Sequence, residues 1–144
     1  MLKRITYISS CVKKLSEFEV EELAILASKK NKKLEITGVL MAKGGLFFQI
    51  IEGPEENIDI VFSDILKDSR HEKVTTLGIQ VGDIKRLFPQ WHMKEINLDT
   101  NTSERLKPTK AILEAIHAQS VIIENLTEAL AESAWAELLD HTSR

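Results

Sequence analysis

One strand-like segment of the chain carries a polar residue where its neighbours are all apolar. Gln49 lies inside Leu46-Phe47-Phe48-Gln49-Ile50-Ile51, in which every other residue is apolar. Because side chains alternate between the two faces of a strand, Gln49 is expected to share the face of Phe47 and Ile51. A buried amide without hydrogen-bond partners costs roughly 2–7 kcal/mol, so we expect Gln49 to be bonded to another polar group.

Tyr7 is the best-placed partner for Gln49, and it is the only tyrosine in the chain. It lies in an early segment that the fold prediction below sets beside the strand of Gln49. A phenol hydroxyl can donate to an amide oxygen, and an amide can both donate and accept. The pair has two interpretations: a buried hydrogen bond that only stabilises the core, or the polar floor of a binding pocket between two helices.

Several other residues have a plain structural interpretation beside a functional one. Asn31 is typical of a helix C-cap. The charged segment Asp68-Ser69-Arg70-His71 is typical of a solvated helix end. Trp91 and Met93 are two residues apart, which predicts one shared face of a strand and, for these residue types, a place in the core. Cys11 has no convincing basic or acidic partner nearby in the sequence, which argues against a nucleophile.

Hydrophobic periodicity predicts five strands separated by turns and two amphipathic helices. The predicted strands cover residues 2–9, 34–42, 46–52, 74–82 and 92–97. The first helix begins with a capping box, in which Ser16 and Glu19 each cover a free backbone N–H group. The second helix covers residues 55–68. Lys43-Gly44-Gly45 is typical of a hairpin turn, so the second and third strands should pair antiparallel.

This order of elements, βαββαβ followed by one more strand, predicts a split-βαβ arrangement. The expected fold class is α+β: a ferredoxin-like βαββαββ sheet with two helices on one face, followed by C-terminal helices. In this arrangement the first and third strands are central neighbours. The topology therefore brings Tyr7 and Gln49 together.

The C-terminal part of the chain has the pattern of a separate helical extension. Residues 97–104 are mostly polar and predict a linker. Residues 105–140 are rich in Ala, Leu, Glu and Ile, and we predict two helices there. The apolar residues Leu113, Ile116, Ile123 and Leu130 have the 3–4 spacing of a packing seam, which would lie back on the sheet or pair with a second copy. We therefore assign residues 1–98 to a core and 99–144 to an extension.

Composition excludes several classes of function. Nineteen Lys and Arg residues against 22 Asp and Glu residues give a net charge of −3, which disfavours nucleic-acid binding. One cysteine allows no intrachain disulfide, and the histidines show no zinc-ligand spacing, so no metal is expected. No apolar run approaches the roughly 20 residues of a membrane span. The sequence predicts a cytoplasmic, soluble domain.

Taken in order, six short segments of the chain resemble the BLUF family of blue-light receptors that use flavin. The segments span residues 3 to about 97, and each is weak alone whereas the ordered set is specific. The core also resembles the sensor part of light-activated adenylate cyclases. The segments are Arg4-Ile5-Thr6-Tyr7-Ile8-Ser9, then Asn31, Ile36-Thr37-Gly38-Val39-Leu40, Phe47-Phe48-Gln49-Ile50-Ile51-Glu52-Gly53, Asp68-Ser69-Arg70-His71 and Arg86-Leu87-Phe88-Pro89-Gln90-Trp91-His92-Met93.

The resemblance implies a role for each matching residue in the photosensor. Tyr7 would donate an electron and a proton, and Gln49 would bridge Tyr7 to the flavin ring. Asn31 would hold the pyrimidine edge of the ring, and Trp91 and Met93 would change their packing with light. The remaining implied cofactor contacts are Leu23 and Ile65 against the ring, Lys30 beside Asn31, and Asp68, Arg70 and His71 near the ribityl and phosphate end.

The resemblance also implies the cofactor and the way the signal leaves the domain. The cofactor is expected to be FAD, with FMN possible. The protein is expected to be a regulator and not an enzyme, with signal output through the last strand and the C-terminal helices. Those helices are expected to form a homodimer and to act on a downstream effector, whose identity the sequence does not reveal.

Two other functions fit the same fold. A small acylphosphatase-like enzyme would need a phosphate-binding loop and an arginine beside the first strand. Residues 9–14 contain neither glycine nor arginine, which argues against that activity. A colourless regulatory domain that binds a small metabolite is the other alternative. The colour of the purified protein separates a flavoprotein from both.

Overall fold

The fold was analysed in a computed structural model of the chain, which describes residues 1–11 and 13–142, and side chains up to residue 140. Val12, part of the stretch 9–14, and residues 143 and 144 of the predicted extension lie outside the described residues. Internal packing divides the chain into two units, one from Met1 to Thr102 and a second that begins at Ser103. The assignment of 1–98 and 99–144 as functional domains stays a prediction.

The first unit is a five-stranded sheet with two helices, and it confirms the predicted α+β ferredoxin-like class. The strand order is β4-β1-β3-β2-β5, so the first and third strands are central neighbours as predicted. All paired strands are antiparallel except β2 and β5, which are parallel. In chain order the elements are β1 Leu2–Cys11, α1 Glu17–Lys33, β2 Thr37–Lys43, β3 Leu46–Pro54, α2 Glu55–Lys67, β4 His71–Gly82 and β5 Lys94–Asn97.

Both helices bury an apolar stripe against one face of the sheet. On β1 and β3, Ile5, Phe47 and Ile51 are almost completely buried, as the alternation of the strands predicts. From α1, Val20 and Ala24 join the same core, and from α2, Ile58 and Val61 do so. The two helices therefore flank the part of the sheet that carries Tyr7 and Gln49.

Local chemistry fixes the ends of these elements. The Ser16 hydroxyl accepts from the Glu19 N–H, and the Glu19 carboxylate accepts from the Ser16 N–H, which confirms the predicted capping box. Gly44 and Gly45 have φ values of +52° and +87° in the turn between β2 and β3, a conformation that favours glycine. The Lys43-Gly44-Gly45 hairpin is confirmed by the antiparallel pairing that follows.

Three strands begin at a different residue from the one predicted, and β1, β2 and β3 each extend one or two residues past their predicted ends. Strand β2 begins at Thr37 and not at residue 34, because Leu34 caps α1 and Glu35 adopts a φ of +56°. Strand β4 begins at His71, so this residue lies in a strand and not at a helix end. Strand β5 begins at Lys94, two residues later than predicted, because the preceding residues are bonded elsewhere, as described below.

The second unit contains a short 3-10 helix, Glu104–Leu106, followed by one continuous helix, α3, Lys107–Thr142. The prediction of two helices in 105–140 was wrong. Polar residues within the seam do not break α3, because the hydroxyls of Ser120, Thr127 and Ser133 bond the carbonyls four residues earlier. Among the described residues, no helix is long and apolar enough to cross a membrane.

Candidate functional site

The pair expected from the sequence forms at the centre of the sheet. Tyr7 on β1 lies directly opposite Gln49 on β3 in the antiparallel register, and the Tyr7 hydroxyl donates to Gln49 Oε1. Both residues are buried, and the Tyr7 ring also meets Phe62 of α2 edge-on at 5.4 Å between centroids. Burial, followed by the nearby Asp68 carboxylate, raises the pKa of the Tyr7 phenol, so the hydroxyl keeps its proton.

A cavity of about 210 Å³ opens between α1 and α2, and Gln49 forms part of its lining. Tyr7 lies behind this wall, one hydrogen bond from the cavity through Gln49. Of the eleven site residues that the resemblance implied, nine line the cavity, Tyr7 adjoins it through Gln49, and Trp91 does not line it. The predicted residues that line the cavity are Leu23, Lys30, Asn31, Gln49, Ile65, Asp68, Arg70, His71 and Met93.

The cavity has further lining residues that the sequence analysis missed, and most are apolar. Two of them follow from helical periodicity, because Ala27 is four residues from both Leu23 and Asn31, and Asp64 is four residues from Asp68. Leu40 could have been found from strand pairing, since it lies opposite Gln49 in the register of β2 and β3. The complete set of missed residues is Leu26, Ala27, Leu40, Ile51, Val61 and Asp64.

Asn31 does not cap its helix, so the C-cap interpretation was wrong. Helix α1 continues to Lys33 and is capped by Leu34, which leaves Asn31 in the last turn with only 3% of its surface exposed. Its amide Nδ2 donates to the main-chain carbonyl of His92 over 2.7 Å. A buried amide that also lines the cavity is thereby fixed in orientation by the segment that leads into β5.

Trp91 and Met93 do not share one face of a strand, contrary to the sequence prediction. Both precede β5, because the Gly38 N–H donates to the Trp91 carbonyl at 2.9 Å and Asn31 bonds the next carbonyl. Met93 is 8% exposed and lines the cavity, whereas Trp91 is 44% exposed and does not line it. Trp91 and Met93, two residues apart in one short segment, therefore have different environments.

Charged and ring residues line the cavity where α2 gives way to β4. Arg70 donates to both carboxylate oxygens of Asp68, and this bonding lowers the pKa of Asp68 to about 2. His71 Nδ1 lies 3.0 Å from the buried Ser9 hydroxyl, and its ring meets Phe47 edge-on. Burial lowers the pKa of His71, so its neutral form is favoured.

A buried carboxylate anchors the segment before Trp91 to the sheet. Glu52 on β3 is 1% exposed; its Oε2 accepts from Arg4 Nε at 2.9 Å, and its Oε1 accepts from the Phe88 N–H at 2.6 Å. The Arg86 guanidinium adds bonds to the Thr37 hydroxyl and to the main-chain carbonyls of Glu35 and Glu52. These bonds hold the approach to β5 in one position.

The described residues give the site little other reactive chemistry. They contain no group of three or more His, Cys, Asp or Glu residues placed to hold a metal ion. Cys11 lies outside the cavity, and burial raises the pKa of its thiol to about 11, so the thiolate is scarce at neutral pH. The cavity combines apolar side chains between the helices with the Asn31 and Gln49 amides in its wall, and the Tyr7 phenol lies one hydrogen bond behind it. Such a cavity suits a flat ring system with polar edges.

Comparisons with known proteins identify the family of this chain. A family model described as "Sensors of blue-light using FAD" matches residues 2–94. The photoactivated adenylate cyclase subunit alpha of Euglena gracilis is 33% identical over 105 residues, which cover 70% of this chain and 10% of that protein. The chain therefore spans about a tenth of the length of this curated relative.

Solved structures show the same likeness. A bacterial light-regulated adenylyl cyclase is 38% identical with a TM-score of 0.80, over 87% of this chain and 36% of that chain. BlsA in its photo-activated state is 30% identical with a TM-score of 0.62, over 70% of this chain and 73% of that chain. The matched family model describes sensors. From the match over residues 2–94, the shared fold and these relatives, the chain belongs to the BLUF family of blue-light sensors.

Proposed function

We propose that this chain binds flavin between α1 and α2 and acts as a blue-light photoreceptor. The observation that carries the proposal is the Tyr7 hydroxyl donating to Gln49, whose amide also forms part of the cavity wall. The flavin supplies absorption of blue light and the capacity to accept an electron. The residues around the flavin must supply the rest of the photochemistry through their positions and their hydrogen bonds.

In the proposed mechanism Tyr7 and Gln49 act as one unit. The Tyr7 phenol would give one electron to the excited flavin and, through the Gln49 amide, one proton to the same ring. Tyr7 would then regain both, which leaves the flavin oxidised and the Gln49 amide rearranged until it relaxes in the dark. Because an amide both donates and accepts, Gln49 records this transfer by reversing or tautomerising with little movement of its neighbours. The raised pKa of Tyr7 favours this arrangement, because the proton stays on the phenol until it is transferred.

The remaining lining residues would position the cofactor. We assign Leu23 and Ile65 to the two sides of the ring, because they face the cavity from α1 and α2. Asn31 would bond the pyrimidine edge, with Lys30 beside it. Asp68, Arg70 and His71 would lie near the ribityl and phosphate end. We propose FAD as the cofactor, with FMN as the alternative, and chromatography of the flavin released from the purified protein decides between them.

The signal would leave through the segment that Asn31 holds. We propose that light changes the packing of Met93 in the cavity wall and of Trp91 outside it, and that β5 passes this change on. Helix α3 would receive the signal and act on an effector protein that is not yet identified.

We also propose that α3 forms a homodimer. Positions on a helix advance by about 100° per residue, so Ile123, Leu126 and Leu130 share one face. Each of these side chains is more than half exposed, whereas Glu124 and Glu128 lie on the opposite side. A stripe of this kind is buried when it pairs with a second copy.

Absorption spectra of the purified protein test the proposal. We expect a yellow protein with a flavin spectrum and a reversible red shift under blue light. A folded protein that stays colourless when mixed with FAD or FMN would contradict it.

A further inference from the structure

An ion pair crosses the cavity between the two helices that form its walls. Lys30 Nζ in the last turn of α1 lies 2.7 Å from Asp64 Oδ2 in α2. Both residues line the cavity. The hydrogen bond from Lys30 lowers the pKa of Asp64, so the pair stays charged at neutral pH.

Apolar side chains account for most of the remaining helix surface around this pair. From α1 the lining includes Leu23, Leu26 and Ala27, and from α2 it includes Val61 and Ile65. These apolar side chains can pack against a ring that lies between the helices, but they form no hydrogen bond or ion pair from one helix to the other. The ion pair therefore ties one wall to the other by a bond that must break if the walls are to separate.

A second bond joins the helices where their ends meet. Asn57 in the first turn of α2 donates from Nδ2 to the carbonyl of Leu34, the residue that caps α1, over 2.8 Å. Asp64 lies seven residues beyond Asn57, about two turns farther along α2. The helices are thus joined at their ends by Asn57 and, along the cavity, by Lys30 and Asp64.

We propose that the Lys30–Asp64 ion pair is a latch that opens for flavin to enter or leave the cavity and so limits the rate of cofactor exchange. The inference rests on the flavin binding proposed above. A flat ring that moves between α1 and α2 needs the walls to part, so the pair is broken in the transition state for both entry and exit. Lys30 and Asp64 are about half exposed, so water replaces the lost bond and its effect is modest.

This latch has a kinetic signature that a direct contact with flavin lacks. When a bond is absent only in the transition state, its removal speeds association and dissociation by the same factor and leaves Kd unchanged. When Lys30 instead contacts the bound flavin, its removal speeds dissociation alone and weakens Kd. For a half-exposed ion pair the expected increase in each rate is about two- to fivefold.

The experiment mixes flavin-free protein with FAD in a stopped-flow instrument and follows flavin fluorescence, with dissociation measured by dilution. Asp64→Asn is the diagnostic variant, because Asp64 is not among the residues assigned to cofactor binding, and we expect it to raise both rates by the same factor. Lys30→Gln should speed association by a similar factor and dissociation by at least as much, since Lys30 is also assigned a place beside the bound flavin. Added NaCl at 0.5 M should bring the wild-type rates close to those of the variants. Unchanged rates in Asp64→Asn, or a rise in its dissociation rate without a rise in its association rate, would overturn the latch.

The Lys3–Asp59 ion pair supplies a matched control. It has an N–O distance of 2.6 Å and joins β1 to the same helix α2, but neither residue lines the cavity. Asp59→Asn removes the same charge from the same helix as Asp64→Asn and should leave both exchange rates unchanged. Equal acceleration by this variant would show that the loss of charge, or any loosening of α2, has the same effect. If wild-type protein binds FAD but exchanges it no more slowly than the variants, only the latch is contradicted. If wild-type protein does not bind FAD, the proposed function is contradicted as well.

Discussion

The side-chain amide of Asn31 and the main-chain carbonyl of His92 are joined by a 2.7 Å hydrogen bond between the last turn of α1 and the segment leading into β5. Asn31 lines the cavity, and His92 stands between Trp91 and Met93. A change in the hydrogen bonding of Asn31 inside the cavity therefore acts directly on the backbone of that segment. This bond supplies a physical route for the output that we propose.

The first prediction concerns Gln49. Gln49→Leu keeps a side chain of similar size in the wall but removes the amide that accepts from Tyr7 and faces the cavity. We expect flavin to remain bound and the light-induced red shift to disappear, because the shift reports a change in the bonding of that amide. Absorption spectra before and after blue light measure both. A normal red shift in Gln49→Leu would remove Gln49 from the mechanism.

The second prediction concerns the buried carboxylate of Glu52. Glu52→Ala leaves Arg4 Nε and the Phe88 N–H without their acceptor, and breaking a buried pair in this way costs about 3–5 kcal/mol. Asp59→Ala, which breaks the exposed pair with Lys3, should cost less than about 1 kcal/mol. Urea unfolding measures both free energies. Equal losses for the two variants would show that Glu52 is not an anchor.

The third prediction concerns pH and Asp68. The bonds from Arg70 hold the pKa of folded Asp68 at about 2, below its ordinary value of 3.8. The unfolded chain therefore binds more protons as the pH falls, so this stabilisation is present above about pH 4 and is lost toward pH 2. The difference in unfolding free energy between wild type and Asp68→Asn should shrink from pH 6 to pH 3. A difference that stays constant over that range contradicts the assignment.

The fourth prediction concerns the apolar face of α3. The paired substitution Ile123→Gln and Leu130→Gln makes two positions on that face polar, and we expect it to weaken the dimer at least tenfold. Glu128→Gln, on the opposite face, is the control and should leave the dimer intact. Sedimentation velocity over a range of concentrations gives the dissociation constants. A wild-type chain that stays monomeric at high concentration would rule the dimer out.

The centre of the site could be predicted because local rules are sufficient there. Strand alternation put Gln49 on the buried face, and the split-βαβ topology made its strand a neighbour of the strand that carries Tyr7. The side chains of both residues are therefore on the face of the sheet that the two helices cover. The register that sets Tyr7 directly opposite Gln49 is given by the structure, because a shift of two residues would keep both side chains on the same face.

Other parts of the site depend on contacts between residues distant in sequence, which periodicity does not report. Trp91 and Met93 alternate as in a strand, yet bonds from Gly38 and Asn31 hold their segment out of β5. Asn31 is a residue type common at helix C-caps, but α1 continues past it to Lys33, and its buried side chain bonds the carbonyl of His92. Composition predicted helix for residues 105–140 but did not report that it is one continuous helix, α3, in which the hydroxyls of Ser120, Thr127 and Ser133 bond the helix backbone.

The most direct measurement is the blue-light difference spectrum of purified Tyr7→Phe. The substitution removes one hydroxyl from the chain's only tyrosine, and the lost hydrogen bond is worth about 0.5–1.5 kcal/mol net, so folding and flavin binding should survive. Phe62→Leu, which alters the ring beside Tyr7 but keeps the hydroxyl, is the control and should still shift. We predict no stable red-shifted state in Tyr7→Phe, because both the electron donor and its proton are gone. A reversible, wild-type red shift in that variant would show that Tyr7 is only a core residue and would contradict the proposed photochemistry.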